Sequence, residues 1–239
     1  MKLVLVTDKT ITPKRLELKK VYSIYEFASL KKGLLLSNLR FRKTFPSRQI
    51  NSLYFDNSEF SAMHDSISGS SERTKTRLRW YGDLEQVIDP VLELKHKKGS
   101  LSWKELYSTS LKLKPSSDNW LNAFTANENG SDHLNIKSIL PPDHTIPISL
   151  VSYFRNYFES FDGRIRATID MNLSYRDQTL QRQPNFKIQR KDSSKVILEL
   201  KLAKENLKML RDLTYNLGFT PQRFSKYCES TFQHRVKWR

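Results

Sequence analysis

Residues Glu72–Gly82 read "ERTKTRLRWYG", with Arg73, Lys75, Arg77 and Arg79 at every second position and Leu78 and Trp80 among the residues between. Alternate side chains on a strand point to opposite faces, so one face of this segment is cationic and the other apolar. Two architectures accommodate that: a sheet whose charged face meets water, or a closed ring whose charged face turns inward. Alone, the segment favours water, because Lys and Arg are rarely buried unpaired.

The rest of the chain reverses the preference. Glu17 and Lys19 alternate with Leu16 and Leu18, and Glu93, Lys95 and Lys97 with Leu92 and Leu94. Tyr153, Arg155 and Tyr157 alternate with Phe154 and Phe158. Arg164, Arg166, Thr168 and Asp170 alternate with Ile165, Ala167 and Ile169, and Glu199 and Lys201 with Leu198, Leu200 and Leu202. Glu-x-Lys occurs at 17–19, 93–95 and 199–201. A solvated face has no need to mix its charges so regularly, whereas a barrel lumen does, and closure also removes exposed strand edges. The expectation is an α+β fold, an antiparallel β-barrel tunnel with helices packed outside. Lys75, Arg77 and Arg79 then face the lumen, Leu78 and Trp80 face the helices, and Arg73, at the strand's entrance, stays in water.

Period-two stretches at 15–22, 48–57, 73–82, 90–99, 102–113, 150–160, 163–176 and 194–203 read as strands, several separated by turn pairs such as Gly82-Asp83 and Asp162-Gly163. Helical patterns fall near 21–32, 58–65, 117–126 and 204–217, the last ending at Gly218. The stretches 125–133 and 140–148 read as loops. Strands on both sides of them share one pattern, so residues 1–239 read as a single domain. In "YFDN" (54–57), Asn57 or Ser58 is expected to cap the following helix.

Lys and Arg number 41 against 25 Asp and Glu, a formal net charge of +16, which implies a polyanionic partner. The lone Cys228 excludes an internal disulfide framework, and the five histidines show no metal-ligand spacing. The apolar run Leu3–Val6 is too short for a signal-peptide core, and no stretch is long enough to span a bilayer; the cytoplasm is the expected compartment.

A cationic lumen suits triphosphate and longer polyphosphate, whose oxygens Arg grips bidentately and Lys meets as point charges. The carboxylates have a use there if a divalent ion sits between them and the phosphates, since Mg²⁺ or Mn²⁺ takes one or two carboxylates plus phosphate oxygens. Together these groups suit phosphoryl transfer, which needs positioning and charge stabilisation more than covalent chemistry. Asp170 is an alternative metal ligand or a partner for Arg164 or Arg166.

The succession "RLELK", "YFDN", "KTRLRWYG", "LELK", "SYFRNYF", "RATID", "LELK" and "FSKY" resembles the VTC (vacuolar transporter chaperone) domain, from about Arg15 to Glu229. This is the polyphosphate polymerase branch of the triphosphate tunnel metalloenzymes, related to CYTH domains. The resemblance implies transfer of the ATP γ-phosphate onto a growing polyphosphate chain with a divalent ion, often Mn²⁺. By that likeness Arg77, Arg79, Arg155, Lys201 and Lys226 are the central cations, and Lys19, Lys75, Lys95, Lys104 and Arg166 line the same path. Tyr153 and Ser225 would donate hydrogen bonds to phosphate. Glu199 is the implied metal ligand, with Glu17 and Glu93 in support. Two positions depart from the family pattern: Leu106 replaces an arginine after Lys104-Glu105, and Lys20 a tyrosine after Lys19. The implied partners are ATP and inorganic polyphosphate, with room for a separately encoded membrane partner. A hydrolase of tripolyphosphate or nucleoside triphosphate would use every one of the same cations. A non-catalytic binder of polyphosphate or nucleic acid is the third reading, although carboxylates interleaved among the cations would repel a nucleic-acid backbone.

Overall fold

A computed structural model describes residues 6–113, 120, 136–179, 181 and 183–235. Eight strands make its frame: β2 (Arg15–Ser23), β4 (Arg48–Asp56), β5 (Glu72–Tyr81), β7 (Val91–Lys98), β8 (Leu101–Thr109), β10 (Ile146–Glu159), β11 (Ile165–Asp177) and β13 (Lys195–Leu202). They pair in the order β11-β13-β2-β8-β7-β5-β4-β10, and β10 pairs back onto β11, so the sheet closes into a ring with every pairing antiparallel. Shorter strands decorate it: β1 (Val6–Ile11) on β8, β3 (Arg42–Lys43) on β10, β12 (Arg190–Asp192) on β11, and a separate pair of β6 (Val87–Ile88) with β9 (Lys112–Leu113). The β2–β8 seam is the thinnest, with only Arg15 opposite Ser102 and Leu16 opposite Leu101; further along β8, β1 covers the edge instead.

The alternation read in the sequence sets the two faces. Outward, Leu78 and Trp80 join Leu53, Phe55, Leu92 and Leu150 in one buried cluster, with Trp120 and Ile136 laid over it. A second outer cluster packs Ile165, Ala167, Ile169, Leu198 and Leu200 against Leu30 and Leu34 of α1 (Phe27–Leu36) and Leu213 of α4 (Arg211–Asn216). Burying a side chain of this size contributes roughly 1.5–3 kcal/mol, so these stripes stabilise the ring from outside. Further helices among the described residues are α2 (Ser61–Ser68), α3 (Ile136–Ile139) and α5 (Lys226–Arg235).

Boundaries shift where tertiary contacts override local pattern. The expected helix at 21–32 starts late, because β2 runs on to Ser23 beside β13; Ser23 and Glu26 then form a capping box. Residues 204–217 divide into a 3₁₀ turn, Lys204–Leu210, and α4. Part of the expected loop at 140–148 belongs to β10, which starts at Ile146 opposite Asp56. Except for Trp120, which is helical, the expected helix at 117–126 lies outside the described residues, as does the loop at 125–133. Asn57 does cap α2, accepting from Ser61 N at 3.0 Å, but Asp56 carries more of the helix start: its carboxylate accepts from Ala62 N, Met63 N and the Tyr227 hydroxyl. Among the described residues no helix is long and apolar enough to cross a membrane.

Candidate active site

The inward faces of β2, β5, β7, β8, β10 and β13 enclose a cavity of about 650 Å³, completed by the start of α5 and the segment before it. Twelve Lys or Arg side chains line it: Lys19, Arg73, Lys75, Arg77, Arg79, Lys95, Lys97, Lys104, Arg155, Lys201, Arg223 and Lys226. Among the described residues two carboxylates, Glu17 and Glu199, share the lining. Two more, Glu93 and Asp170, are buried among the cations without lining the cavity.

Glu93 organises the β5–β7–β8 side. Register places it opposite Arg77, and its carboxylate meets Arg77 Nη2 at 2.5 Å, Arg79 Nη1 at 3.0 Å and Lys104 Nζ at 2.7 Å. Burial alone would raise its pKa, but the three cations hold it well below the usual carboxylate range. Arg77 also donates to the Tyr54 hydroxyl at 3.1 Å and Arg79 to that of Tyr153 at 3.2 Å, while Arg79 Nε is buried with no partner.

Asp170 does the same on the other side. Arg155, opposite it in the β10–β11 register, grips it with two bonds of 2.5 and 2.7 Å, and Lys226 at the start of α5 reaches it at 2.6 Å. Burial would push its carboxyl up; Arg155 and Lys226 outweigh that and bring it down to about 2. The sequence-based pairing of Asp170 with Arg164 or Arg166 is therefore corrected. Arg164 bonds Asp162 in the hairpin turn, and Arg166, exposed at the start of β11, pairs with Glu159 at 3.2 Å. Arg166 does not line the cavity and leaves the expected phosphate path.

Burial dominates the lysines. It carries Lys75 down to about 7, with Lys19, Lys95 and Arg73 adding to the fall, and Lys95 down to about 8 despite its bond to Glu17. Lys104 and Lys201 also lie below the ordinary lysine value, whereas the Glu199 and Glu17 carboxylates outweigh burial at Lys19 and raise it. Lys75 has no carboxylate partner and donates to Ser66 Oγ at 2.6 Å and Ser225 Oγ at 2.8 Å. Burial would lift the Tyr153 phenol, but Arg155 and Arg79 outweigh it and bring it down to about 8. Buried lysines without full compensation and an unpartnered guanidinium N–H describe a site short of negative charge.

Of the expected metal ligands, Glu17 and Glu199 line the cavity and Glu93 does not. Glu17 and Glu199 lie on adjacent strands, in registers that make them diagonal neighbours; burial and the Glu199 charge oppose ionisation of Glu17, but Lys95, Lys201 and Lys19 outweigh them and hold it below the usual carboxylate range. Glu199 meets Lys201 at 3.1 Å and Lys19 at 3.7 Å. Two carboxylates on one cavity wall are the kind and number of protein ligands that Mg²⁺ or Mn²⁺ takes beside phosphate oxygens. Glu93 differs from them in place: Glu17 and Glu199 also carry cations on both oxygens, but they line the cavity, whereas Glu93 is buried behind the lining under Arg77, Arg79 and Lys104. Among the described residues no group of three or more His, Cys, Asp or Glu is placed to hold a metal, so any ion would take its remaining ligands from the substrate or water.

The other sequence-named residues Lys19, Lys75, Lys95, Lys104, Tyr153, Arg155, Lys201, Ser225 and Lys226 all line the cavity with Arg77 and Arg79. Arg73, expected in water, also lines it, as does Lys97; Arg73 Nη1 donates to Ser70 O at 2.5 Å. The sequence reading missed Arg223, Tyr54 and Asp170's place between Arg155 and Lys226.

A closed antiparallel ring around a cation-lined cavity defines a tunnel-type fold with an interior suited to anions. The sequence matches the VTC domain over residues 2–233, and the chain belongs to that family. No curated protein matches it. Among solved structures it is similar to the PH1819 protein of Pyrococcus horikoshii OT3 (14% identity, covering 92% of this chain and 99% of that one, TM-score 0.47). It is also similar to a candidate adenylate cyclase of Vibrio parahaemolyticus (10%, 89% and 96%, 0.45). A third likeness is to HpAC1 of Hippeastrum, described as having a dominant triphosphatase activity (11%, 89% and 93%, 0.38). The assignment rests on the family match and not on these remote likenesses.

Proposed function

We propose that the chain is a polyphosphate polymerase-like enzyme, transferring the γ-phosphate of ATP onto a growing polyphosphate chain inside the ring. The observation that carries this reading is the convergence of Arg77, Arg79 and Lys104 around Glu93, and of Arg155 and Lys226 around Asp170, on one cavity short of negative charge. Each carboxylate fixes its cations' positions before substrate arrives, so little reorganisation is needed when charge builds on a transferring phosphoryl group. Arg77, Arg79, Arg155, Lys201 and Lys226 would hold the reacting phosphates. Lys19, Lys75, Lys95, Lys104 and Ser225 would carry the rest of the chain, and Tyr153 would donate from its hydroxyl. A divalent ion held by Glu199 and Glu17 would neutralise phosphate charge and polarise the transferring group.

Incubating the purified protein with ATP and Mn²⁺ or Mg²⁺ and resolving the products by gel tests this. Polyphosphate ladders that vanish in Arg79→Ala are expected. Orthophosphate release without chain growth would replace the polymerase with a triphosphate hydrolase, and no turnover with either metal would remove both.

A further inference from the structure

A second cavity, of about 470 Å³, lies where β10 and β11 lose register. Ser152 pairs with Ser174 and Phe154 with Met171, so Asn172 and Leu173 together oppose Tyr153, and Asn172 takes a left-handed φ of 53°. Such a bulge turns the side chains beyond it to the other face. Leu173 and Tyr175 thus join the buried cluster around Tyr227, while Ser174 and Arg176 face the second cavity.

Arg176 differs from the buried arginines of the first cavity. Arg77, Arg79 and Arg155 each meet a carboxylate, but Arg176 donates only to neutral acceptors: Phe186 O at 2.7 Å, Ser174 Oγ at 3.0 Å and Gln189 Oε1 at 2.7 Å. It is 6% exposed, and among the described residues no carboxylate lies within ion-pair distance of it. Burial lowers its pKa, with Glu85 acting on it only from beyond pairing distance. Two further lining groups lack partners among the described residues. Ser152 Oγ is buried, in a residue 4% exposed, with no hydrogen bond. Lys191, opposite Ser174 on β12 and exposed to solvent, makes no ion pair among the described residues. Phe154, 39% exposed, supplies an apolar wall.

A buried guanidinium without a counter-charge is costly, and an oxyanion in the cavity relieves that cost. Donors from three separate strands, Ser152, Arg176 and Lys191, suit a tetrahedral phosphate better than a planar carboxylate. The volume exceeds what one phosphate needs and falls in the range of small-ligand sites. We propose that this cavity is a second anion site, taking the phosphate of a small phosphomonoester on Arg176, Lys191 and Ser152 Oγ with its organic body against Phe154. The site is independent of the chemistry proposed for the ring's interior, although Tyr153 lines both cavities.

Phenyl phosphate is the probe, titrated into ¹⁵N-labelled full-length protein. Saturable shifts are expected at the amides of Ser152, Phe154, Ser174 and Lys191, with benzyl alcohol leaving them unmoved. Lys191→Ala and Ser152→Ala remove groups with no partner among the described residues, so both variants should fold. Each should weaken binding roughly tenfold, the scale of a hydrogen bond to a charged group, while tripolyphosphate affinity stays unchanged. No saturable shift, shifts confined to residues of the first cavity, an equal response to benzyl alcohol, or wild-type affinity in both variants would each overturn the proposal. Turnover of ATP has no bearing on any of these outcomes.

Discussion

Asp170 shows most plainly what a single residue does here. It is fully buried and holds Arg155 and Lys226 in place, so Asp170→Asn leaves two buried cations facing the cavity with no counter-charge. Breaking a buried pair from one side costs about 3–5 kcal/mol. Thermal denaturation should show a loss of that order, partly restored by saturating tripolyphosphate; a loss that tripolyphosphate leaves untouched would mean that these cations do not meet phosphate. Lys75 and Lys95 set a pH dependence. In the empty protein their pKa values lie near 7 and 8, while in the unfolded chain they return to the usual lysine value near 10.5. Between those limits the unfolded state binds more protons, so these two groups make the free protein more stable as pH rises from about 7 towards 10.5. Phosphate binding requires them charged, so tripolyphosphate affinity should fall as pH rises from 7 to 9. Calorimetric titrations across that window check the sign, and a rising affinity would contradict it.

Elements place these residues, and much of their placement was legible in advance. The period-two alternation gave the inward and outward faces of β2, β5, β7 and β13. The hairpin at Glu159–Gly163 also held more than was read from it. Counting back four residues from Glu159 and on four from Arg166 sets Arg155 opposite Asp170, the pairing the structure shows. Periodicity could not give the rest. Arg166 shares its parity with Thr168 and Asp170 and lies opposite Lys201, yet at the start of β11 its side chain turns out to Glu159, and alternation does not say which residues at a strand's end leave the lumen. Glu93's place behind the cavity lining was hidden for a similar reason: Lys104 and Arg79 converge on it across strands whose order the sequence does not state. Arg223 comes from a connection with no repeat to reveal it. Asp56 tests how β4, α2 and α5 are tied together. Removing its carboxylate in Asp56→Ala abolishes bonds to Ala62 N, Met63 N and the Tyr227 hydroxyl. A loss of about 2 kcal/mol or more is expected in chemical denaturation, from a helix cap and a charged hydrogen bond together. A change of a few tenths would show that α5 is held by its apolar contacts alone.

The whole molecule is a ring that turns the usual arrangement of charge inside out. Its apolar stripes pack outward beneath helices and loops, and its cations face one another across an interior they cannot neutralise alone. Closure is uneven, because two residue pairs join β2 to β8 while eight join β13 to β2. Amides at 15–16 and 101–102 should therefore exchange hydrogen faster than those of the β13–β2 ladder, and a polyphosphate ligand bridging the two sides should slow them. Equal protection along both seams would mean that β1 and the outer clusters close the ring as firmly as the strand pairing does. The central claim is that the interior cations are a polyphosphate site, and a crystal structure with tripolyphosphate soaked into the protein tests it most directly. The account predicts phosphate oxygens within hydrogen-bond distance of Arg77, Arg79, Arg155 and Lys226 inside the ring; tripolyphosphate bound only on the outer surface, with the interior left to water, would contradict it.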